Sequence, residues 1–254
     1  GKRPTSFTLG VVHSAFNREF FNQGSLKITR GFAGIGTQLK WPDDFFSTNT
    51  TLSLESIILN DYQFGQFFVV DPVQGDINLD NGNFKNFSIN QVISRSSVSE
   101  PIYPRRGARV SLSLQFTPPY SLFRSKEYWL LSEDEKERLI TKINGERGPG
   151  NPLSAAGERE EIAKEENANK FEYLEYHKWR FNAEWYFNMF GKFVLATNIK
   201  FGFLGTYNSD IGLSPFERFE VGGDGLSNQN VGITGKDIIS LRGYETTDIN
   251  VDES

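Results

Sequence analysis

Two adjacent segments, 177–189 and 192–203, alternate apolar and polar side chains over unusual lengths, and few folds accept such segments. In the first, Trp179, Phe181, Ala183, Trp185, Phe187 and Met189 fall on one face of a strand, because successive side chains point to opposite sides. Lys178, Arg180, Asn182, Glu184, Tyr186 and Asn188 fall on the other. After a turn at Phe190-Gly191, Phe193, Leu195, Ile199, Phe201 and Phe203 oppose Lys192, Asn198, Lys200 and Gly202. Strands of soluble sheets average about five or six residues, whereas a tilted strand that crosses a bilayer needs about ten. Both segments reach the longer figure, which predicts membrane-spanning β-strands.

Five further segments follow the same template and bring the expected count to about seven strands. In 107–117, Ala108, Val110, Leu112, Leu114 and Phe116 alternate with Arg109, Ser111, Ser113, Gln115 and Thr117. In 31–41, Ala33, Ile35, Leu39 and Trp41 oppose Gly34, Gly36, Gln38 and Lys40. Segments 6–16, 50–62 and 84–97 complete the set. The 50–62 strand carries apolar residues on both faces (Leu52, Leu54, Ile58 against Ile57, Leu59), so its facing stays open. Short connections are expected near Lys2-Arg3-Pro4, Pro42-Asp43-Asp44, Tyr103 to Gly107, and Phe190-Gly191. Longer ones are expected at 17–25, 65–83, 119–171 and from 207 onward. Outer-membrane barrels sort their connections this way, with short periplasmic turns and long outer loops. A soluble sandwich has no reason to do so.

Composition restricts the chemistry. With 254 residues and no cysteine, the chain lacks thiolate metal sites and disulfide frameworks, and with only His13 and His177, far apart, a zinc or histidine-dependent triad site would need long-range convergence. A net charge of −5 argues against phosphate-neutralising contact with nucleic acid. No apolar run approaches the roughly 18 residues of a membrane helix. Yet 23 Phe, 9 Tyr and 4 Trp coexist with low mean hydropathy, as alternation in a barrel produces; a soluble β-sandwich with an aromatic core fits the same numbers. Paired carboxylates (Asp43-Asp44, Glu160-Glu161, Glu165-Glu166) sit in loops or charged helices, with no pocket pattern to raise one pKa. Neither Gly34-Ile35-Gly36 nor Gly222-Gly223-Asp224-Gly225 leads into a helix, which disfavours a phosphate loop. No cofactor, metal or enzymatic activity is expected. The abrupt ends, Gly1-Lys2-Arg3-Pro4 and Asp252-Glu253-Ser254, read as those of a piece of a longer protein.

The 119–171 connection is different in kind. Ser132-Glu133-Asp134-Glu135 is a capping-box pattern that opens one helix, and 158–169 reads as a second, charged helix after Gly148-Pro149-Gly150. Its charge run suits a solvated surface more than a ligand site.

Several motifs together resemble one family, the BamA-type outer-membrane assembly factors. Pro215-Phe216-Glu217-Arg218-Phe219, Gly222-Gly223 and Arg242-Gly243-Tyr244 match the approach and tip of that family's sixth surface loop. Tyr103-Pro104-Arg105-Arg106-Gly107-Ala108-Arg109 matches a periplasmic turn and the strand after it, in family order. The resemblance implies an all-β, antiparallel transmembrane barrel segment, about the fifth to eleventh of sixteen strands. Residues 1–254 would form the partial barrel, 119–171 an extracellular insertion with helices, and 207–254 a surface loop folded into the lumen. Arg242, Gly243 and Tyr244 would form its tip, with Gly222, Gly223, Phe216 and Phe219 shaping it. Arginine suits that place because its planar fork pairs bidentately with carboxylates. Trp179, Phe181, Trp185, Phe187, Phe193, Leu195, Phe201 and Phe203 would face lipid.

The implied role is the insertion of other β-barrels into a bacterial outer membrane. Its partners would be outer-membrane lipids, unfolded outer-membrane protein clients and accessory lipoproteins of an assembly complex. The periplasmic POTRA domains and the first and last strands of that family have no counterpart in this sequence. The alternatives are a passive transport or translocation barrel and a soluble all-β binding domain.

Overall fold

The computed structural model describes residues 4–17, 24–62, 69–70, 77–125, 127–221 and 237–239. Seven long strands form one antiparallel sheet: β1 (Thr5–Asn17), β2 (Ser25–Gln38), β3 (Phe46–Asn60), β6 (Gly82–Ser96), β7 (Gly107–Phe116), β8 (His177–Phe190) and β9 (Phe193–Gly205). Between β3 and β6 the two-residue strands β4 (Val69–Val70) and β5 (Ile77–Asn78) pair with each other. Each long strand pairs with its neighbours in the order of the chain, so the wall is a plain meander. Helices α1 (Glu133–Arg147) and α2 (Ala155–Lys170) lie between β7 and β8. No described helix is long and apolar enough to cross a membrane.

The strands run 10 to 15 residues, all long enough to cross a bilayer and most longer than that requires. The 31–41 expectation is corrected most. That strand begins at Ser25 and ends at Gln38. Alternation concealed its first turn of pairing because the apolar side switches: Leu26 and Ile28 are buried on one face, whereas Ala33 and Ile35 lie on the other. The same switch answers the 50–62 ambiguity. Leu52 and Leu54 share the exposed apolar face, while Ile57 and Leu59 turn to the opposite, buried side.

Connection lengths sort from β3 onward. Residues 61–81 and 117–176 are long at one end of the sheet, and 97–106 and 191–192 are short at the other. The 18–24 link breaks the rule, being no longer than 39–45. At the short-turn end Gly107 has φ +106, and a Cβ there would stand 2.3 Å from the Ser97 carbonyl oxygen. Only glycine satisfies both demands, which accounts physically for the glycine in that turn motif.

Candidate functional site: the docked loop on the polar face

The sheet has one apolar and one polar face. Phe7, Leu9, Leu54, Phe87, Ile89, Leu114, Trp179, Phe181, Ile199, Phe201 and Phe203 share the first, as the pairing register requires. Trp179, Phe187, Phe193, Leu195, Phe201 and Phe203 are exposed there, and Phe181 and Trp185 are half-buried. Rings gather at both ends of this face. At the long-loop end His177 packs on Trp179, Phe203 and Tyr207, with Phe116 beside Trp179. At the short-turn end Trp41, Phe45, Tyr103, Phe190 and Phe193 are exposed.

On the polar face, the connection after β9 folds back against the wall, and the segment 215–219 does so residue by residue. Phe216 is buried, its ring 4.6 Å from that of Phe84 on β6. Around them Leu26, Ile28, Ile57, Leu59, Leu79, Phe171, Leu174, Tyr176 and Ile211 complete a core cluster. Glu217 points to β8, where Lys178 Nζ lies 2.9 Å from its Oε2. Its Oε1 accepts a hydrogen bond from the Tyr176 hydroxyl at 3.1 Å. That hydroxyl in turn accepts from Gln115 Nε2 at 2.7 Å and Asn86 Nδ2 at 3.1 Å, which ties β6 and β7 into the network. Phe219 lies over Gly202 of β9: a Cβ at 202 would come within 2.7 Å of its ring. Lys178 Nζ sits 5.0 Å from the centre of the same ring.

A short parallel ladder, β10 (Phe219–Val221) with β11 (Asp237–Ile239), carries the dock further. Asp237 accepts from Lys178 at 2.7 Å and from Arg180 at 3.2 Å. Two cations on the wall thus meet two carboxylates on the loop. Lys178 is 1% exposed, and burying it is tolerable only because both carboxylates and the aromatic ring replace its water. Burial pushes the Glu217 carboxyl up, opposed by Lys178 and by the Tyr176 hydrogen bond. Burial likewise raises the Tyr176 phenol, which keeps that hydroxyl a donor to Glu217.

Phe216 and Phe219 therefore anchor the base of the loop. Arg242, Gly243, Tyr244, Gly222 and Gly223 lie outside the described residues. Sequence reasoning missed Lys178, Tyr176, Glu217 and Asp237. Nothing local marks Lys178, because a lysine on the polar side of a bilayer-length strand is served as well by water as by an anion. Its partner stands 39 positions away, beyond any local pattern.

The arrangement is that of a wall with a lipid-compatible face and a loop held to its polar interior. No curated protein matches the chain significantly. Residues 3–253 match the Omp85 superfamily domain, nearly the whole chain. On that match, with a seven-stranded antiparallel wall and ringed apolar face behind it, the chain belongs to the Omp85 superfamily of outer-membrane β-barrel proteins.

Proposed function

We infer that the chain is wall and loop of a BamA-type assembly barrel, a non-enzymatic machine that inserts client β-barrels into the outer membrane. The observation that carries this reading is the dock of the 215–219 segment on β6, β8 and β9 through Phe216, Glu217 and Phe219. A loop anchored at its base on the polar face is directed into the barrel interior, where Arg242 would pair with carboxylates of the inner wall. Held so, it braces the barrel while a weakly paired seam elsewhere thins the bilayer and offers strand edges to a client. The short turns would then face the periplasm, and the 119–171 insertion would stand outside the cell. Unfolded outer-membrane proteins and accessory lipoproteins would be its partners, and no cofactor takes part.

Arg242→Ala in the full protein tests this. Client assembly into vesicles should slow by an order of magnitude or more, with the barrel itself less resistant to denaturant. Unchanged assembly rates would overturn the role. Steady ion conductance without client folding would instead identify a passive transport barrel.

A further inference from the structure

The 3₁₀ turn at Tyr120–Phe123, just beyond β7, carries an exposed apolar tip that neither the wall nor the docked loop uses. Leu122 is 64% exposed and Phe123 is 86% exposed. The turn is rigidly mounted. Ser121 donates through its backbone N to Glu175 at 2.7 Å, and its hydroxyl contacts the same carboxylate. The Tyr120 ring lies 5.2 Å from that of Tyr173. Tyr128, a few residues on, donates to the Lys170 carbonyl at the end of α2.

The direction of the turn follows from Tyr173. That residue bridges Lys85 of β6, and its ring centre is 4.8 Å from Lys85 Nζ. Lys85 shares the apolar face with Phe87, Ile89 and Ile93, at its long-loop end. The turn therefore stands on the outer side of the wall, where the apolar band stops and the ring cluster of Phe116, Trp179 and Tyr207 begins. Next to the tip, the Arg124 guanidinium is stacked between Tyr128 and Tyr173, at 4.7 and 4.8 Å from their ring centres. None of the ion pairs among the described residues engages it.

We propose that the 120–124 turn is a membrane foot: Leu122 and Phe123 enter the lipid surface at the long-loop end, and Arg124 binds a lipid phosphate. An exposed apolar tip standing just beyond the end of an exposed apolar band belongs at the boundary of acyl chains and headgroups, where aromatic rings concentrate. A preoriented guanidinium at that height meets phosphate oxygens, which its fork engages bidentately. The two rings hold the guanidinium in place while its fork keeps donors beyond the one shared with Tyr128. The foot adds a second attachment to the membrane, on the insertion itself, independent of the assembly role.

The test uses the full protein in vesicles of digalactosyl diacylglycerol, a bilayer lipid without phosphate, alone or with added lipid A, either phosphorylated or dephosphorylated. The chain has no cysteine, so, with any cysteine elsewhere in the full protein replaced by serine, Phe123→Cys can carry a spin label, with Glu137→Cys on exposed α1 as the reference. The ratio of collision rates with oxygen and with a polar nickel complex should be several-fold higher at 123 than at 137. Phosphorylated lipid A should raise it further, and Arg124→Gln should abolish only that rise. Equal ratios at the two positions would overturn the foot. Shielding of 123 from both reagents would mean that a protein surface covers the tip, and would overturn it too. Indifference to the phosphates and to Arg124→Gln would overturn the lipid contact assigned to the arginine.

Discussion

In β2, β3 and β6 the half of the wall near the short turns and the half near the long loops have opposite polarity. Near the short turns, β2 shows Ala33 and Ile35 outward and Gly34 and Gly36 inward. Near the long loops it shows Lys27 and Thr29 outward and Leu26 and Ile28 inward. In β3, Leu52 and Leu54 give way to Ile57 and Leu59, and in β6 the outward Ile89 and Ile93 give way to the inward Phe84. Strand geometry is unchanged across the switch, and only the covering differs. In the lower half the outer face is exposed and apolar, as a lipid-facing wall requires. In the upper half, the folded-back 211–217 segment and the chain after α2 cover the inner face. Apolar side chains follow whichever face loses its water.

Phe84→Ala should strike the upper half hardest, because it empties the centre of the cluster against Phe216. A loss of about 3–5 kcal/mol is expected, read by denaturant unfolding of the barrel in detergent. A loss below about 1 kcal/mol would mean that the cluster does not support the wall. Lys178→Met leaves Glu217 buried without its cation, and the comparable cost is about 3–5 kcal/mol. Adding Glu217→Gln should recover much of it. Additive losses in that double-mutant cycle would show that the two are not coupled.

A charge scan probes the comparison directly. Leu54→Arg, on the outward face within the lipid band, should cost about 2–4 kcal/mol in vesicles, whereas Thr29→Arg, outward but above the switch, should cost about 0–1 kcal/mol. Equal costs would erase the boundary between the halves. The smallest effect concerns the cap of α1. Hydrogen bonds from the Ser132 hydroxyl and backbone N hold the Glu135 carboxyl below its ordinary value. A lowered folded-state pKa stabilises above the unfolded value, and that contribution is lost as pH falls through the folded one. The first turn of α1 should therefore fray in acid, and Glu135→Gln should remove this pH dependence of amide exchange there.

These contrasts explain what could be read in advance. Strands β8 and β9 were legible because their outward apolar runs keep one phase across nearly their whole length. The Ser132–Glu135 cap was equally legible, being a contact between residues three apart. The start of β2 was not, because a change of covering halfway along a strand cancels its alternation. Of the candidate site, the sequence pointed to the loop base through Phe216 and Phe219. The residues that hold it were invisible for want of any local pattern linking 176–178 to 217 and 237.

What this sequence determined alone is the class of object: bilayer-length alternating strands, with polar and apolar sides set by period-2 geometry, admit a membrane barrel and little else. Tertiary structure alone decided where each face changes polarity and which anion neutralises Lys178. Both depend on chain folding back from far along the sequence, and burial and charge pairing are properties of neighbours in space.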